Sequence, residues 1–163
     1  MLRIIDRVKY ICNNVSIKVV LIGEGDERNN LIEFSQKRGI DLLLLGKRSD
    51  VNKLLCGFDL FVLTSRYEGF PVVMMEAQAN GLDCVVSKAI PQEALLGDSY
   101  IRVSKENKTM WINAIMHFIN KTKASSISRI AKCDVIKRKG YDIESCAEEL
   151  SKIYISLLKS QKG

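Results

Sequence analysis

The chain has 163 residues, 47% hydrophobic and 27% charged, with a formal net charge of +6. That composition fits one soluble globular domain able to bury a real core. The longest apolar runs, such as Val19–Ile22 and Leu42–Leu45, are too short to span a bilayer, and Met1-Leu2-Arg3 leads into an amphipathic pattern rather than a signal-peptide core, so a cytoplasmic location is expected.

Residues 2 to 13 carry Leu2, Ile5, Val8, Ile11 and Cys12 at helical spacing, and Asn13-Asn14 ends that helix. Ile17–Ile22 reads as a strand. Gly23-Glu24-Gly25-Asp26 reads as a turn, with Asp26 placed to cap a helix that runs to Arg38 and stops at Gly39. Asp41–Leu45 is an apolar strand of the kind buried on both faces. The loop Gly46-Lys47-Arg48-Ser49 follows, then a short helix over Asp50–Cys56 and a strand over Phe58–Thr64.

The stretch from Ser65 to Ser87 organises the rest. It turns through Glu68-Gly69-Phe70-Pro71, continues as a helix containing Glu76-Ala77-Gln78-Ala79, and passes Gly81 into a strand over Cys84–Val86. Pro71 suits the first position of the helix. The free N–H groups around Phe70 to Met74 and the positive helix end then attract an anion such as a diphosphate. Gly69 lets a ligand approach the backbone without a Cβ in the way. Glu68 and Glu76 can face one crevice at the carboxyl end of the strand, where open parallel sheets bind ligands, and carboxylates suit the vicinal hydroxyls of sugar and ribose. For an isolated pair of glutamates, the ordinary reading is a solvated loop residue and a helix-dipole partner.

Residues 88 to 97 read as irregular or briefly helical, and Tyr100–Val103 as the last strand. Met110, Trp111, Ala114, Ile115, Phe118 and Ile119 make an amphipathic helix. Residues 125 to 138 read as another, Gly140 breaks it, and Ile143–Leu158 is the final helix. Alternation of strand and helix without a linker or repeat implies a Rossmann-like α/β fold: a parallel, doubly wound sheet with helices on both faces.

The five cysteines show no C-x-x-C spacing. Cys12, Cys56 and Cys84 sit in apolar patterns, and the one histidine, His117, lies in a helical pattern. A metal site or a His-based triad therefore has little support, and reduced thiols are the default. Much of the basic excess falls in the C-terminal third, from Lys121 to Lys162. Two readings stand: solvated helix faces, or weak peripheral attraction to an anionic membrane surface. No aromatic-interleaved basic motif points to nucleic acid.

The stretch Glu68-Gly69-Phe70-Pro71, Glu76-Ala77-Gln78-Ala79, Gly81-Leu82 and Cys84-Val85-Val86-Ser87 resembles the signature of family-4 glycosyltransferases, enzymes of the GT-B fold that use nucleotide-sugar donors. The E-A-Q-A wording with Pro91-Gln92-Glu93 is similar to members that build bacterial capsule, exopolysaccharide or O-antigen. Val20-Leu21-Ile22-Gly23-Glu24-Gly25 and Leu44-Leu45-Gly46-Lys47-Arg48-Ser49-Asp50-Val51 resemble two further turns of the donor-binding domain. The tail from Lys139 through Tyr154 resembles the end of full-length members, which implies a native C-terminus.

The resemblance implies a single donor-binding domain over residues 1–163 and a hexosyltransferase reaction on a nucleotide-diphosphate sugar, a UDP-sugar in the first instance. It implies retention of anomeric configuration and no obligatory metal or other cofactor. By motif position, Glu68 lies near the donor sugar as the catalytic residue, and Glu76 binds ribose. Gly69, Phe70, Pro71 and Val72 meet sugar and phosphate. Gly23 and Gly25 form the first turn, and Lys47 and Arg48 sit beside the base.

The chain departs from the family at its start. It begins in the helix after the usual first strand, so that strand, its diphosphate-neutralising Arg and Lys, and the acceptor domain are absent from these residues. The missing strand belongs in the middle of the sheet. The expectation is either a gap beside Ile17–Ile22 or a closed-up sheet in which that strand meets Phe58–Thr64. An open central edge invites pairing with a separate acceptor-domain chain or self-association. Asp83 also stands where the family usually has Pro, and Lys88 where Asp is common.

The competing function is a non-catalytic or split-enzyme fragment that binds nucleotide only with a partner chain. A dehydrogenase is disfavoured because no strand leads into G-x-G-x-x-G. A two-carboxylate glycoside hydrolase is disfavoured by the doubly wound pattern.

Overall fold

A computed structural model describes residues 1–121 and 126–160. The first helix, α1 (Leu2–Ile11), places Leu2, Ile5 and Val8 on one buried stripe and leaves Ile11 half in solvent. The elements that follow are β1 (Lys18–Leu21), α2 (Arg28–Arg38), β2 (Asp41–Leu44), α3 (Val51–Leu55), β3 (Leu60–Leu63), α4 (Val72–Ala79), β4 (Asp83–Ser87), β5 (Tyr100–Val103), α5 (Lys108–Asn120), α6 (Ser126–Arg138) and α7 (Ile143–Ser160). A short 3₁₀ turn, Gln92–Ala94, lies between β4 and β5. All five expected strands form. Residue 125, placed in the penultimate helix by the sequence, lies outside the described residues.

Every paired strand is parallel, but the sheet is in two pieces. One pairs β1 with β2; the other runs β3-β4-β5. No ladder joins β1 to β3. Of the two expected outcomes at the centre of the sheet, the structure shows the gap.

The two pieces nevertheless share one layer of helices. Val19 and Leu21 of β1, Leu42 of β2, Leu60 and Val62 of β3, Val85 of β4, and Ile101 and Val103 of β5 all pack into one apolar cluster. Leu2, Ile5 and Val8 of α1, Phe34 of α2, and Trp111 and Ile115 of α5 complete that cluster. On the opposite face, Cys84 and Val86 of β4 with Phe61 and Leu63 of β3 pack under Leu55 of α3 and Met74 and Ala77 of α4. Val20 and Leu43, on that same face of β1–β2, belong to neither cluster.

Two expected details shift. The α2 cap is Glu27, not Asp26, and it makes no side-chain capping bond. Pro71 is the residue before α4, with φ −76° and ψ 102°, rather than its first helical residue. Its ring still presets φ, while the extended ψ sets the angle at which the chain enters the helix.

α6 is fastened to the larger piece. The Arg129 guanidinium donates to the carbonyls of Leu55 (3.3 Å), Cys56 (3.1 Å) and Asn80 (3.2 Å), capping α3 and α4 where their last carbonyls lack helical partners. Gly81 makes this approach possible. It has φ +68°, and a Cβ there would lie 2.5 Å from the Arg129 carbonyl oxygen. α7, by contrast, buries no residue.

Candidate functional site

The candidate site lies at the carboxyl ends of β1, β2 and β3. Past the strand ends, Leu45 N–H donates to the Leu21 carbonyl (3.0 Å) and Gly23 N–H to the Gly46 carbonyl (2.8 Å). Gly23 (φ 126°) and Gly46 (φ 65°) both adopt backbone that side chains disfavour. These turns fold the two loops back and leave an open cleft of about 580 Å³ lined by Ile22, Gly23, Lys47, Arg48 and Ser49. Three residues expected at the site, Gly23, Lys47 and Arg48, thus meet in one place, and Ile22 and Ser49 join them. Gly25 sits in the adjoining exposed turn.

Both cations of the cleft are already paired. Arg48 forms a two-pronged hydrogen bond to Asp50, Nε to Oδ1 at 2.8 Å and Nη2 to Oδ2 at 2.7 Å. That bond raises the Arg48 pKa and holds the Asp50 carboxyl below the usual range. Lys47 Nζ lies 3.6 Å from a Glu24 carboxylate oxygen. The cleft therefore presents backbone polar groups, an apolar wall at Ile22 and neutralised ion pairs, a lining better matched to a flat heterocycle than to a diphosphate. The Arg48–Asp50 pair could be found in the sequence only as an R-x-D spacing.

The second expected group lies on the β3–α4 segment. Glu68 is half-buried, and Gly69, Phe70 and Val72 are exposed. Glu76, one turn further into α4, is half-buried. Neither glutamate side chain makes a hydrogen bond or ion pair among the described residues. The Pro71 carbonyl accepts from Met74 N–H (2.9 Å). The free amides at the helix start are therefore those of Val72 and Val73, fewer than the expected set reaching to Met74. None of Glu68 through Val72 lines the cleft at Gly23; they stand at the end of the neighbouring strand, on the other side of the gap in the sheet.

The glycines separate by cause. A Cβ at Gly25 or Gly69 would meet nothing within 4 Å, and neither has a positive φ. Packing within the chain explains neither glycine, whereas it explains Gly81 fully.

Three motif residues prove to be structural. Gln78, the third letter of E-A-Q-A, is buried. It donates to the carbonyls of Met74 (3.1 Å) and Ala94 (2.8 Å) and accepts from Gly97 N–H (2.8 Å). Ser87 is buried and accepts from Ala89 N–H at 3.1 Å. Asp83 receives a hydrogen bond from Ser99 and one from Lys132 (2.5 Å), with Lys121 at 3.5 Å. Burial raises its pKa, but those bonds and charges outweigh burial and the carboxyl ends below its ordinary value. Of the cysteines read as small hydrophobes, Cys84 is buried, which pushes its thiol up to about 12. Cys56 corrects the reading: it is exposed, and its Sγ lies 3.0 Å from Asn80 Oδ1.

Parallel strands with helices on both faces and an open cleft at their carboxyl edge define a Rossmann-like domain. The chain belongs to the family described as glycosyl transferases group 1, which it matches over residues 2–133. It is 26% identical over 162 residues to the UDP-Gal:alpha-D-GlcNAc-diphosphoundecaprenol alpha-1,3-galactosyltransferase of Escherichia coli, covering 94% of this chain and 41% of that protein. It is 43% identical over 68 residues to the Campylobacter jejuni N,N'-diacetylbacillosaminyl-diphospho-undecaprenol alpha-1,3-N-acetylgalactosaminyltransferase, covering 42% of this chain and 18% of that one. Among solved structures it is similar to Anabaena Alr3699/HepE in complex with UDP, with a TM-score of 0.73, 21% identity, and coverage of 94% of this chain and 44% of that one. The chain spans less than half the length of each of these proteins.

Proposed function

We propose that these residues form the donor-binding half of a retaining hexosyltransferase that takes a UDP-sugar in bacterial capsule, exopolysaccharide or O-antigen synthesis. One observation carries the reading: two unpaired, half-buried carboxylates, Glu68 and Glu76, stand at the carboxyl edge of the sheet across the gap from the open cleft at Gly23, Lys47 and Arg48. In it, the cleft at Gly23, Lys47 and Arg48 takes the base, with Gly25 leaving room in the adjoining turn. The half-buried, unpaired Glu76 carboxylate accepts from ribose hydroxyls. Glu68 stands beside the donor sugar, and the backbone from Gly69 to Val72 meets sugar and phosphate. Vicinal hydroxyls are donors that a free carboxylate binds well. The amides of Val72 and Val73 and the positive end of α4 favour the diphosphate. The relatives named above support a UDP-sugar donor and an undecaprenyl-diphosphate acceptor.

The acceptor half comes from outside these residues in this reading. α7 leaves Ile143, Leu150, Tyr154 and Leu158 in solvent along its length, as a helix does when a second body covers it, and the relatives are more than twice as long. The basic C-terminal third suits peripheral contact with an anionic membrane that holds a lipid-linked acceptor.

Calorimetric titration with UDP, GDP and UDP-sugars tests the site. Micromolar UDP binding, lost at least tenfold in Glu76→Ala, is expected if the donor site is formed. Absence of binding at millimolar UDP and GDP contradicts a donor site on this chain alone.

A further inference from the structure

The cations at the carboxyl edge of the sheet are of two kinds. Lys47 and Arg48, in the cleft beyond β1 and β2, are paired with Glu24 and Asp50. Arg66, in the β3–α4 segment, and Lys88, just past β4, are exposed. Neither side chain makes a hydrogen bond or ion pair among the described residues. The register Leu63↔Val86, counted on by two, brings Ser65 level with Lys88. Arg66 and Lys88 thus leave adjacent strands, spaced about 4.8 Å apart, within one residue of the same level. Glu68, two positions on from Arg66, pairs with neither cation.

The backbone at Lys88 is fixed from both sides. Cys84 N–H donates to the Ser99 carbonyl (2.9 Å) and Lys88 N–H to the Val103 carbonyl (2.9 Å), so the alternation of the β4–β5 ladder runs unbroken to Lys88. Cys84 and Val86 pack on the α4 face, and Lys88 is the next position on that face. The Arg102 guanidinium donates through Nη2 to the carbonyls of Lys88 (3.0 Å) and Ile90 (2.9 Å), and through Nη1 to Gln92 Oε1 (2.8 Å). Gln92 Nε2 in turn donates to the Tyr100 hydroxyl (3.2 Å). Arg102 Nε is buried without a partner among the described residues. That arrangement costs stability, yet it holds the turn after β4 in one position. A free ammonium is thereby rooted on a fixed backbone, beside the segment that carries Glu68.

We propose that Arg66 and Lys88 together form an oxyanion site, which takes either the diphosphate of the ligand or a carboxylate carried on its sugar. Two unpaired cations on adjacent segments repel each other, and an oxyanion between them replaces that repulsion with two attractions. Arg66 offers a planar fork that matches a phosphate or carboxylate with two parallel bonds, and Lys88 a movable point charge. The carboxyl edge is then divided by charge. The side at β1 and β2, where both cations are neutralised, takes the uncharged heterocycle, and the side at β3 and β4 takes the anion. That the oxyanion belongs to a nucleotide sugar rests on the function proposed above. The anion site itself rests on the placement of the two cations.

The test is calorimetry with uridine, UDP, UDP-glucose and UDP-glucuronic acid on the full chain, on Arg66→Gln and on Lys88→Gln. Amide chemical shifts of Arg66 and Ala89 are followed separately as pyrophosphate alone is added. Each substitution is expected to weaken a charged ligand by about tenfold or more, the scale of one charge-assisted hydrogen bond, and to leave uridine unchanged. An equal loss for UDP and both UDP-sugars makes the diphosphate the occupant. A loss confined to UDP-glucuronic acid makes it the sugar carboxylate. If UDP and UDP-glucuronic acid bind and neither substitution, or only one, weakens them, the proposal is overturned and the donor reading stands. A loss for uridine as large as for UDP overturns it too, because the substitutions would then act through the fold. Pyrophosphate shifts at Arg66 and Ala89 in a chain that binds no UDP leave the anion site standing and remove the donor reading. Neither UDP binding nor pyrophosphate shifts at millimolar ligand overturns both.

Discussion

The two pieces of the sheet are built from similar residues and end up in different conditions. In β3-β4-β5, both faces are packed, α6 is pinned by Arg129, and the central strand is sealed from water. In β1–β2, one face packs on α1 and α2, while Val20 is half-buried and Leu43 is 44% exposed on the other. Strand composition alone therefore does not decide how well a strand is held. The number of covered faces and paired edges does, and the thin piece is the one that carries the cleft at Gly23, Lys47 and Arg48.

The largest effect separating the pieces comes from two glycines with positive φ, each following a helix. Gly81→Ala puts a methyl group into the Arg129 backbone, whereas at Gly39 the nearest atom is the movable Lys9 ammonium at 3.4 Å. Urea denaturation should show a loss of about 3 kcal/mol or more for Gly81→Ala and about 1 kcal/mol for Gly39→Ala, the strain of left-handed backbone alone. Equal losses would mean that the α6 contact contributes little.

Next comes a pair of valines. Val85→Ala empties a fully buried position and should cost about 2 kcal/mol, from lost transfer energy plus a cavity. Val20→Ala should cost less than about 1 kcal/mol, because the half-buried side chain it shortens belongs to no core cluster. A reversed order would contradict the assignment of the sealed and the open piece.

The smallest effect is titratable. Asp83 has a folded-state pKa below its ordinary 3.8, so its contribution is fully present above that value and is lost as pH falls through the folded-state value. The stability difference between the native chain and Asp83→Asn should therefore shrink on acidification below about pH 4, and stay level from pH 5 to 7. A difference that instead grows on acidification would show that the salt bridge to Lys132 does not hold the carboxyl ionised.

Much of this was legible in the sequence. Apolar runs of four or five residues and glycine stops placed all five strands, because those signals are local. The division of the sheet was open between two outcomes, since periodicity carries no information on whether two strands will close over a missing neighbour. The roles of Gln78 and Asp83 were not legible. Gln78 reaches Ala94 and Gly97, and Asp83 reaches Lys132, 49 positions away, and no local pattern encodes such partners. Asp83, where the family usually has Pro, fastens α6 to β4. Arg48 was placed at the site, but its pairing with Asp50 was not anticipated, although that pair decides whether its charge is free.

The most direct test of an open slot at the centre of the sheet is residue-resolved amide exchange on the unliganded chain. The account predicts alternation within single strands: Val19, Leu21, Phe61 and Leu63 slow, and Val20, Ile22, Val62 and Thr64 fast. Uniform protection along β1 and β3 would contradict it, because the two edges would then already be paired.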